Sequence, residues 1–177
     1  MTTKLDGKNT FFLPFNKGNK HGKGNPELPT GATGHRTNYL WDEVFTRESL
    51  ANIIQHFVRL DGKKKDPLHT KTLFFPRYHQ LDVVRKIIAD ASAKGVGQTY
   101  LIQHSAGSGK SNSITWVAYQ LIEAYPENSN VTGVTDVEKP LFDSVIVVTD
   151  RRLLDKQIRD NIADFSEIKN IIAPAYS

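Results

Sequence analysis

A loop near the middle of the chain, Gly107-Ser-Gly-Lys-Ser111, constrains the fold more strongly than any other stretch. The run before it, Thr99 to Gln103, is apolar and short enough for a buried strand, and Ser113 to Tyr125 after it has helical spacing. The residues expected on one helical face are Ile114, Val117, Leu121 and Ile122. A strand, a tight glycine turn and a helix form the context in which proteins hold a nucleotide phosphate.

The residue types of this loop suit a bound phosphate chain. Gly107 and Gly109 can adopt backbone angles closed to other residues, which lets several N–H groups converge on an anion at a helix N-terminus. Lys110 would reach the β and γ phosphates, and the Ser111 hydroxyl would ligate Mg²⁺. The full pattern asks for glycine at position 104, where the chain has His104, and a glycine turn without a ligand would have the same composition. The predicted ATP-binding loop is Ser105, Ala106, Gly107, Ser108, Gly109, Lys110 and Ser111.

Composition bounds the class of protein. The 177 residues can hold one substantial domain with an appendage or two small ones, and 38% hydrophobic and 24% charged residues are ordinary for a globular chain. A net charge of +4 permits a polyanionic partner without requiring one. Cysteine is absent, which excludes a disulfide framework and a thiolate metal site. Neither a signal peptide nor a membrane-spanning run is recognisable, so we expect a cytoplasmic protein with no membrane partner.

The early part of the chain is rich in loop-forming residues. Residues 16–34 are dense in glycine, asparagine, lysine and proline and cannot bury a core, which predicts a loop. The basic residues Lys17, Lys20, Lys23 and Arg36 could contact phosphates or could simply face water.

A packing helix and a boundary follow this loop. Apolar residues at helical spacing predict a helix from Tyr39 to about Leu60. Charge, glycine and proline between Gly62 and Pro67 then break the pattern. We therefore divide the chain into a loop-rich helical connector, residues 1–69, and a nucleotide-binding part, residues 70–177.

Gln80 stands at the head of the next predicted helix, whose apolar face includes Leu81, Val84 and Ile87. It lies thirty residues before Lys110, close enough for a helix and a loop to return to the strand that precedes the phosphate loop. A glutamine amide offers a donor and an acceptor together, as the N6 and N7 edge of adenine requires. Gln80 therefore predicts a preference for ATP. The alternative is a glutamine that caps or decorates its own helix, since polar residues at helix starts often serve backbone groups.

A second apolar run, Ser144 to Thr149, is typical of a strand buried in a parallel sheet. Asp150 follows it and could be the Mg²⁺-holding acid of such an enzyme, although the next residues, Arg151 and Arg152, would repel a metal. We favour a strand end at which Thr149, Arg151 and Arg152 contact a nucleic-acid backbone. Ordinary surface salt bridges are the competing explanation.

The chain resembles the restriction (R) subunit of type I restriction enzymes, a nuclease joined to a superfamily 2 helicase-like DNA translocase. The stretches that match extend over nearly the whole chain: Phe12 to Asn16, Tyr39 to Trp41, Phe75 to Gln80, Leu101 to Ser111, and Val145 to Arg152 with Asp155 and Gln157. His104 fits this family's own form of the loop.

The resemblance implies an α/β fold, namely an incomplete RecA-like parallel sheet with flanking helices. It implies ATP and Mg²⁺ as cofactors, and double-stranded DNA and the specificity and modification subunits as partners. Gln80 would lie in the adenine-reading motif, and residues 145–152 in a DNA-contacting motif. The family's activity is that of a type I site-specific deoxyribonuclease with ATP-dependent translocation.

Catalytic motifs of the family are missing from this sequence. Neither the nuclease acids and lysine nor the Asp-Glu-x-His motif is present, so we expect a fragment of a larger R subunit with no turnover of its own. Two alternatives stay open. The chain could belong to another superfamily 2 helicase or P-loop enzyme, or it could be a non-catalytic remnant of a truncated gene.

Overall fold

A computed structural model describes residues 7–19, 22–61, 65–150 and 158–159 of the chain. The chain divides into two compact units, Met1–His79 and Gln80–Ser177. Within the described residues, no helix combines the length and the apolar character needed to cross a bilayer.

The predicted packing helix of the first unit is two helices. A π-helical turn, Leu40–Val44, is followed by helix α1, Arg47–His56. Thr46 separates them because it is in an extended conformation and its side chain accepts a hydrogen bond from the Ser49 N–H at 3.3 Å. This arrangement is a helix N-cap, which satisfies one of the unpaired donors of the first turn. Tyr39, Val44, Ile53 and Phe57 are the buried residues of this region.

An antiparallel hairpin, which the sequence analysis did not predict, follows α1. Strand β1, Arg59–Asp61, pairs with strand β2, Thr72–Phe74, with Leu60 opposite Leu73. The Arg59 guanidinium lies 4.6 Å from the centre of the Phe74 ring. Short 3₁₀ helices, Gly7–Asn9 and Leu68–Thr70, complete the regular structure of this unit within the described residues.

Side chains anchor the loop-rich arm, which we define as residues 10–38. The Lys17 ammonium contacts both carboxylate oxygens of Glu43, at 2.5 and 2.6 Å, and lies over the rings of Tyr39 and Tyr78. The Tyr39 hydroxyl donates to the Phe15 carbonyl at 2.5 Å and to the Asn25 side chain at 3.0 Å. Lys17 is thus held by an internal carboxylate. Lys20 lies outside the described residues, and Lys23 is exposed.

Two long helices form the framework of the second unit within its described residues. Helix α2 runs from Tyr78 to Lys94, so its first two residues belong to the first unit, and helix α3 runs from Lys110 to Ile122. On α2 the predicted apolar face is buried, with Leu81 and Val84 almost fully enclosed. Beyond α2, Gly95 forms a parallel bridge with Thr132, so the chain after α3 returns to the end of α2.

The buried face of α3 differs from the predicted one. Ile114 is exposed, and Val117 and Leu121 are only half-buried, whereas Trp116 is fully buried. The remaining buried positions of this helix are Ser113, Thr115, Ala118 and Gln120. Val117 and Leu121 line an open groove of about 320 Å³, together with Ile87, Ala91 and Phe142. The predicted face is therefore less buried because it borders this groove.

The two predicted strands of a parallel sheet do not pair. Residues 99–103 and 144–149 form neither helix nor sheet, and among the described residues the only sheet is the β1–β2 hairpin. Leu101 is 95% exposed, and Ile146 and Val148 are 84% and 87% exposed. A strand obtains its backbone hydrogen bonds only from a neighbour. No described segment provides that neighbour, so the full parallel sheet stays a prediction.

Candidate nucleotide-binding site

The predicted phosphate loop is a compact turn that leads directly into α3. Gly107 and Gly109 have φ angles of +72° and +81°, in the left-handed region that favours glycine. Gly109 is the N-cap of α3, and Lys110 is the first helical residue. Both glycines therefore occupy positions where the turn requires them, as the sequence predicted on conformational grounds.

The Lys110 side chain folds back onto the loop. Its ammonium donates to the carbonyl oxygens of His104 and Ser105, at 3.0 and 2.9 Å. Both acceptors lie at the beginning of the loop, so the positive charge stays beside the turn. His104 contributes its backbone carbonyl here, and any residue type at this position offers that group. This contact gives no specific reason for histidine at position 104.

Backbone donors are available at the start of α3. The N–H groups of Asn112 and Ser113 bond to the Gly109 carbonyl, whereas those of Lys110 and Ser111 make no hydrogen bond to another described residue. The first N–H groups of a helix have no intrahelical partner, and together with the helix dipole they favour an anion. This helix start, with the Lys110 ammonium nearby, can hold a phosphate group.

Ser111 fits the role of a Mg²⁺ ligand. Its carbonyl accepts a hydrogen bond from the Thr115 hydroxyl at 3.0 Å, but its own hydroxyl has no partner among the described residues. A free hydroxyl oxygen one residue after the lysine is the donor that Mg²⁺ takes in such loops. The described residues contain no cluster of three or more His, Asp or Glu side chains that could hold a metal ion.

Gln80 lies against the phosphate loop. The residue is 3% exposed, and its side-chain nitrogen donates to the carbonyls of Ser108 and Gly109, at 3.3 and 3.0 Å. The sequence predicted either adenine reading or helix capping for Gln80, and neither prediction included a hydrogen bond to the loop carbonyls. The spacing of thirty residues before Lys110 predicted that this helix returns to the loop, but the hydrogen bonds themselves depend on how α2 packs.

Tyr100 and Asp90 form a second link between α2 and the segment before the loop. The Tyr100 hydroxyl donates to Asp90 at 2.8 Å, and Lys94 contacts the same carboxylate at 2.5 Å. Hydrogen bonds from Lys94 and then Tyr100 lower the pKa of Asp90. Desolvation and the Asp90 carboxylate raise the pKa of Tyr100 to about 12, so the phenol stays protonated at neutral pH. This link was not predicted from the sequence.

The predicted DNA-contacting residues are only partly described. Thr149 is half-buried and Asp150 is exposed, while Arg151 and Arg152 lie outside the described residues. The structure therefore brings Gln80, Ser108, Gly109 and Lys110 together in one site and leaves the DNA contacts as a prediction.

This arrangement of a glycine turn, a helix N-terminus and a lysine folded over the loop is typical of proteins that bind nucleotide phosphates. A family model described as "Type III restriction enzyme, res subunit" matches residues 73–174, more than half of the chain. The chain belongs to this family, a group of restriction-enzyme and helicase-like proteins. The match includes Gln80, the phosphate loop and residues 144–149. No curated protein and no solved structure matches the chain.

The family match confirms the coarser part of the predicted resemblance. A restriction-enzyme, helicase-like chain was expected, and a restriction-enzyme family is what matches. The match supports a restriction-enzyme, helicase-like family and does not show a type I enzyme specifically.

Proposed function

We propose that this chain is the ATP-binding and DNA-contacting segment of the R subunit of a type I restriction enzyme. The observation that carries the proposal is the lysine-bearing turn at the start of α3, with Lys110 held beside free helix N–H groups. Membership of a restriction-enzyme family supports the class, and the stretches that resemble type I subunits support the subtype.

ATP binds in this proposal with its phosphates on Ser105 to Ser111. The Lys110 ammonium leaves the carbonyls of His104 and Ser105 and neutralises phosphate oxygens, while the helix N–H groups donate to the same chain of phosphates. Ser111 holds Mg²⁺, which when bound neutralises charge that develops on the phosphates. Gln80 reads the adenine edge with its side-chain oxygen, which accepts from the N6 amino group, while its nitrogen stays on the loop carbonyls. The residues that activate water are supplied by other parts of the polypeptide.

The DNA-directed part of the proposal rests on the sequence. Thr149, Arg151 and Arg152 contact the phosphate backbone of double-stranded DNA, which carries no sequence information. Sequence reading belongs to the specificity subunit, with which the whole R subunit and the modification subunit assemble. The connector comprises residues 1–69 and the motor part residues 70–177. Such an assembly acts in the cytoplasm.

The test is direct titration of Mg·ATP into the whole chain by calorimetry. Replacing Lys110 with alanine removes the charge beside the loop, so we expect affinity to fall at least about tenfold, in line with the loss of a charge-assisted hydrogen bond. Lys86→Ala is the matched control because this lysine is exposed on α2 and pairs only with Asp82 at the surface. Equal ATP affinity in the wild type and Lys110→Ala would remove the proposal.

The family description itself favours a second candidate, the res subunit of a type III enzyme. The phosphate loop would serve both enzymes alike. The two are distinguished by association: the proposal expects a longer polypeptide containing this chain to co-purify with type I specificity and modification subunits, and co-purification with a type III modification subunit instead would favour the second candidate.

A further inference from the structure

The Gln80 side chain is built into the phosphate loop. An amide nitrogen carries two N–H groups. Here two loop carbonyls accept from it, those of Ser108 at 3.3 Å and Gly109 at 3.0 Å. The side chain reaches them from the first turn of α2, across 28 and 29 residues of sequence, and it is 3% exposed. A long-range buried contact of this kind fixes the loop to α2.

The contact between Gln80 and the loop carbonyls also determines which way the loop N–H groups point. In a trans peptide the C=O and the N–H of the next residue point in opposite directions, and no cis peptide occurs in the described residues. The Gln80 amide holds the Ser108 and Gly109 carbonyls on its own side, and the Gly109 carbonyl also accepts from Asn112 and Ser113 in α3. The N–H groups of Gly109 and Lys110 are therefore turned to the opposite side. That side is opposite the Gln80 amide, at the start of α3.

Glycine at position 109 is what admits the amide. A methyl group added at Gly109 would overlap with the Gln80 side-chain nitrogen, and the φ of +81° is itself unfavourable for any other residue. Gly107, by comparison, has a similar φ but open space around it. The close approach of the Gln80 amide is therefore specific to the second glycine of the loop.

We propose that Gln80 is a positioning residue of the phosphate loop: its amide fixes the Ser108 and Gly109 carbonyls so that the loop N–H groups face a triphosphate, whatever base that triphosphate carries. This inference rests on the proposed phosphate site and adds a role to adenine reading. A residue that only reads the base would affect nucleotides through the base, whereas a positioning residue affects the phosphate chain itself.

The test uses inorganic tripolyphosphate, which has no base, beside Mg·ATP. Both are titrated into the whole wild-type chain and into Gln80→Met, which keeps the length of the side chain and removes its N–H donors. We expect the affinity for tripolyphosphate to fall about fivefold or more, since two buried hydrogen bonds are lost, and the affinity for ATP to fall by at least the same factor. Gln120→Met is the control, because Gln120 is also buried but lies roughly 15 Å from Lys110 along α3.

The outcomes separate the two claims. Unchanged tripolyphosphate affinity in Gln80→Met overturns the positioning role, whether or not ATP binding is lost. Failure of the wild type to bind either ligand, or normal binding by Lys110→Ala, overturns the phosphate site itself. If Gln80→Met does not fold by circular dichroism, Gln80→Leu replaces it, because leucine is smaller, uncharged and has no side-chain donor. Faster hydrogen exchange at residues 107–111, with α3 beyond Thr115 unchanged, is the expected structural signature in either variant.

Discussion

The phosphate loop and the apolar segments beside it differ in what they need from the rest of the chain. Ser105 to Ser113 completes its turn with a hydrogen bond from Ser108 to Ser105 and with the first turn of α3, and Gln80 closes it from the side. Residues 99–103 and 144–149 have strand-like sequences and no paired neighbour among the described residues. A turn and a helix start are satisfied locally, whereas a strand exists only through its neighbours.

Substitution of Gly109 tests whether the phosphate loop is held by its own turn and by Gln80. Gly109→Ala combines an unfavourable left-handed φ, worth about 1–2 kcal/mol, with displacement of the Gln80 amide. We expect the free energy of unfolding, measured by urea unfolding, to fall by more than about 2 kcal/mol. We expect the affinity for Mg·ATP, measured by calorimetry, to fall at least about tenfold. Both values follow from the cost of the backbone conformation and of a lost buried hydrogen bond.

Gly97→Ala is the matched control for that variant. Gly97 has a φ of +89° but open space around it, so its substitution carries the conformational cost alone. We expect a destabilisation of about 1–2 kcal/mol and no change in ATP affinity. If Gly109→Ala and Gly97→Ala lose the same stability and the same ATP affinity, the close approach of Gln80 to the loop contributes nothing to either.

The same valine-to-threonine substitution at two positions tests whether the strand-like segment 144–149 is packed within the molecule. Val84 on α2 is fully buried, and Val148 in the second apolar segment is 87% exposed. Val84→Thr buries a hydroxyl and should destabilise the chain by about 1–3 kcal/mol. Val148→Thr should change the free energy of unfolding by no more than about 0.5 kcal/mol, because the side chain already contacts water.

Self-association is a second property in which the Val84→Thr and Val148→Thr variants should differ. Unpaired, apolar, strand-like segments tend to pair with other chains. We expect Val148→Thr to reduce association in analytical ultracentrifugation and Val84→Thr not to reduce it. A cost at Val148 as large as at Val84, independent of protein concentration, would mean that residues 144–149 are packed within the molecule.

Local chemistry was predictable from the sequence, and long-range packing was not. The turn with Gly107 and Gly109, the α3 start at Lys110 and the apolar face of α2 follow from residue type and spacing. Spacing predicted that the helix of Gln80 returns to the loop, but not its hydrogen bonds to the loop carbonyls. Those bonds, and the side chains that hold Lys17, depend on packing between segments 26 to 29 residues apart. The interruption at Thr46 had a local signal, since threonine is a good N-cap, but continuous apolar spacing from Tyr39 to Leu60 concealed it.

The loop-rich arm is a third case, in which a segment without helix or sheet is fixed by side chains. Lys17 is its main contact, through Glu43 and the rings of Tyr39 and Tyr78. Lys17→Met should cost about 1 kcal/mol, the sum of a partly exposed ion pair and a cation–π contact, and should speed thermolysin cleavage within the arm. Lys23→Met, at an exposed lysine of the same loop, should do neither.

The pH dependence of the arm follows from the same contacts. Burial lowers the pKa of Lys17, but the hydrogen bond to Glu43 and the interaction with Tyr78 outweigh it, so the pKa lies above its ordinary value of 10.5. The pKa of Tyr39 also lies above its ordinary value of 10.0, because burial raises it by more than the hydrogen bond and charge of Lys17 lower it. A raised pKa means that the protonated form is favoured by folding, so this contribution is complete below pH 10 and is lost as the pH rises through the folded-state pKa values.

Thermolysin cleavage of the arm should therefore accelerate above about pH 10 in the wild type, with a smaller change in Lys17→Met, which has already lost the ion pair. The effect is the smallest of those predicted, because the pair is partly exposed and its charges are screened by water and salt. Raising the salt concentration at neutral pH should weaken the wild-type arm and leave Lys17→Met unchanged. Identical pH profiles for the two proteins would mean that the arm is held by its aromatic contacts alone, and that the comparison with the unpaired strands rests on packing and not on charge.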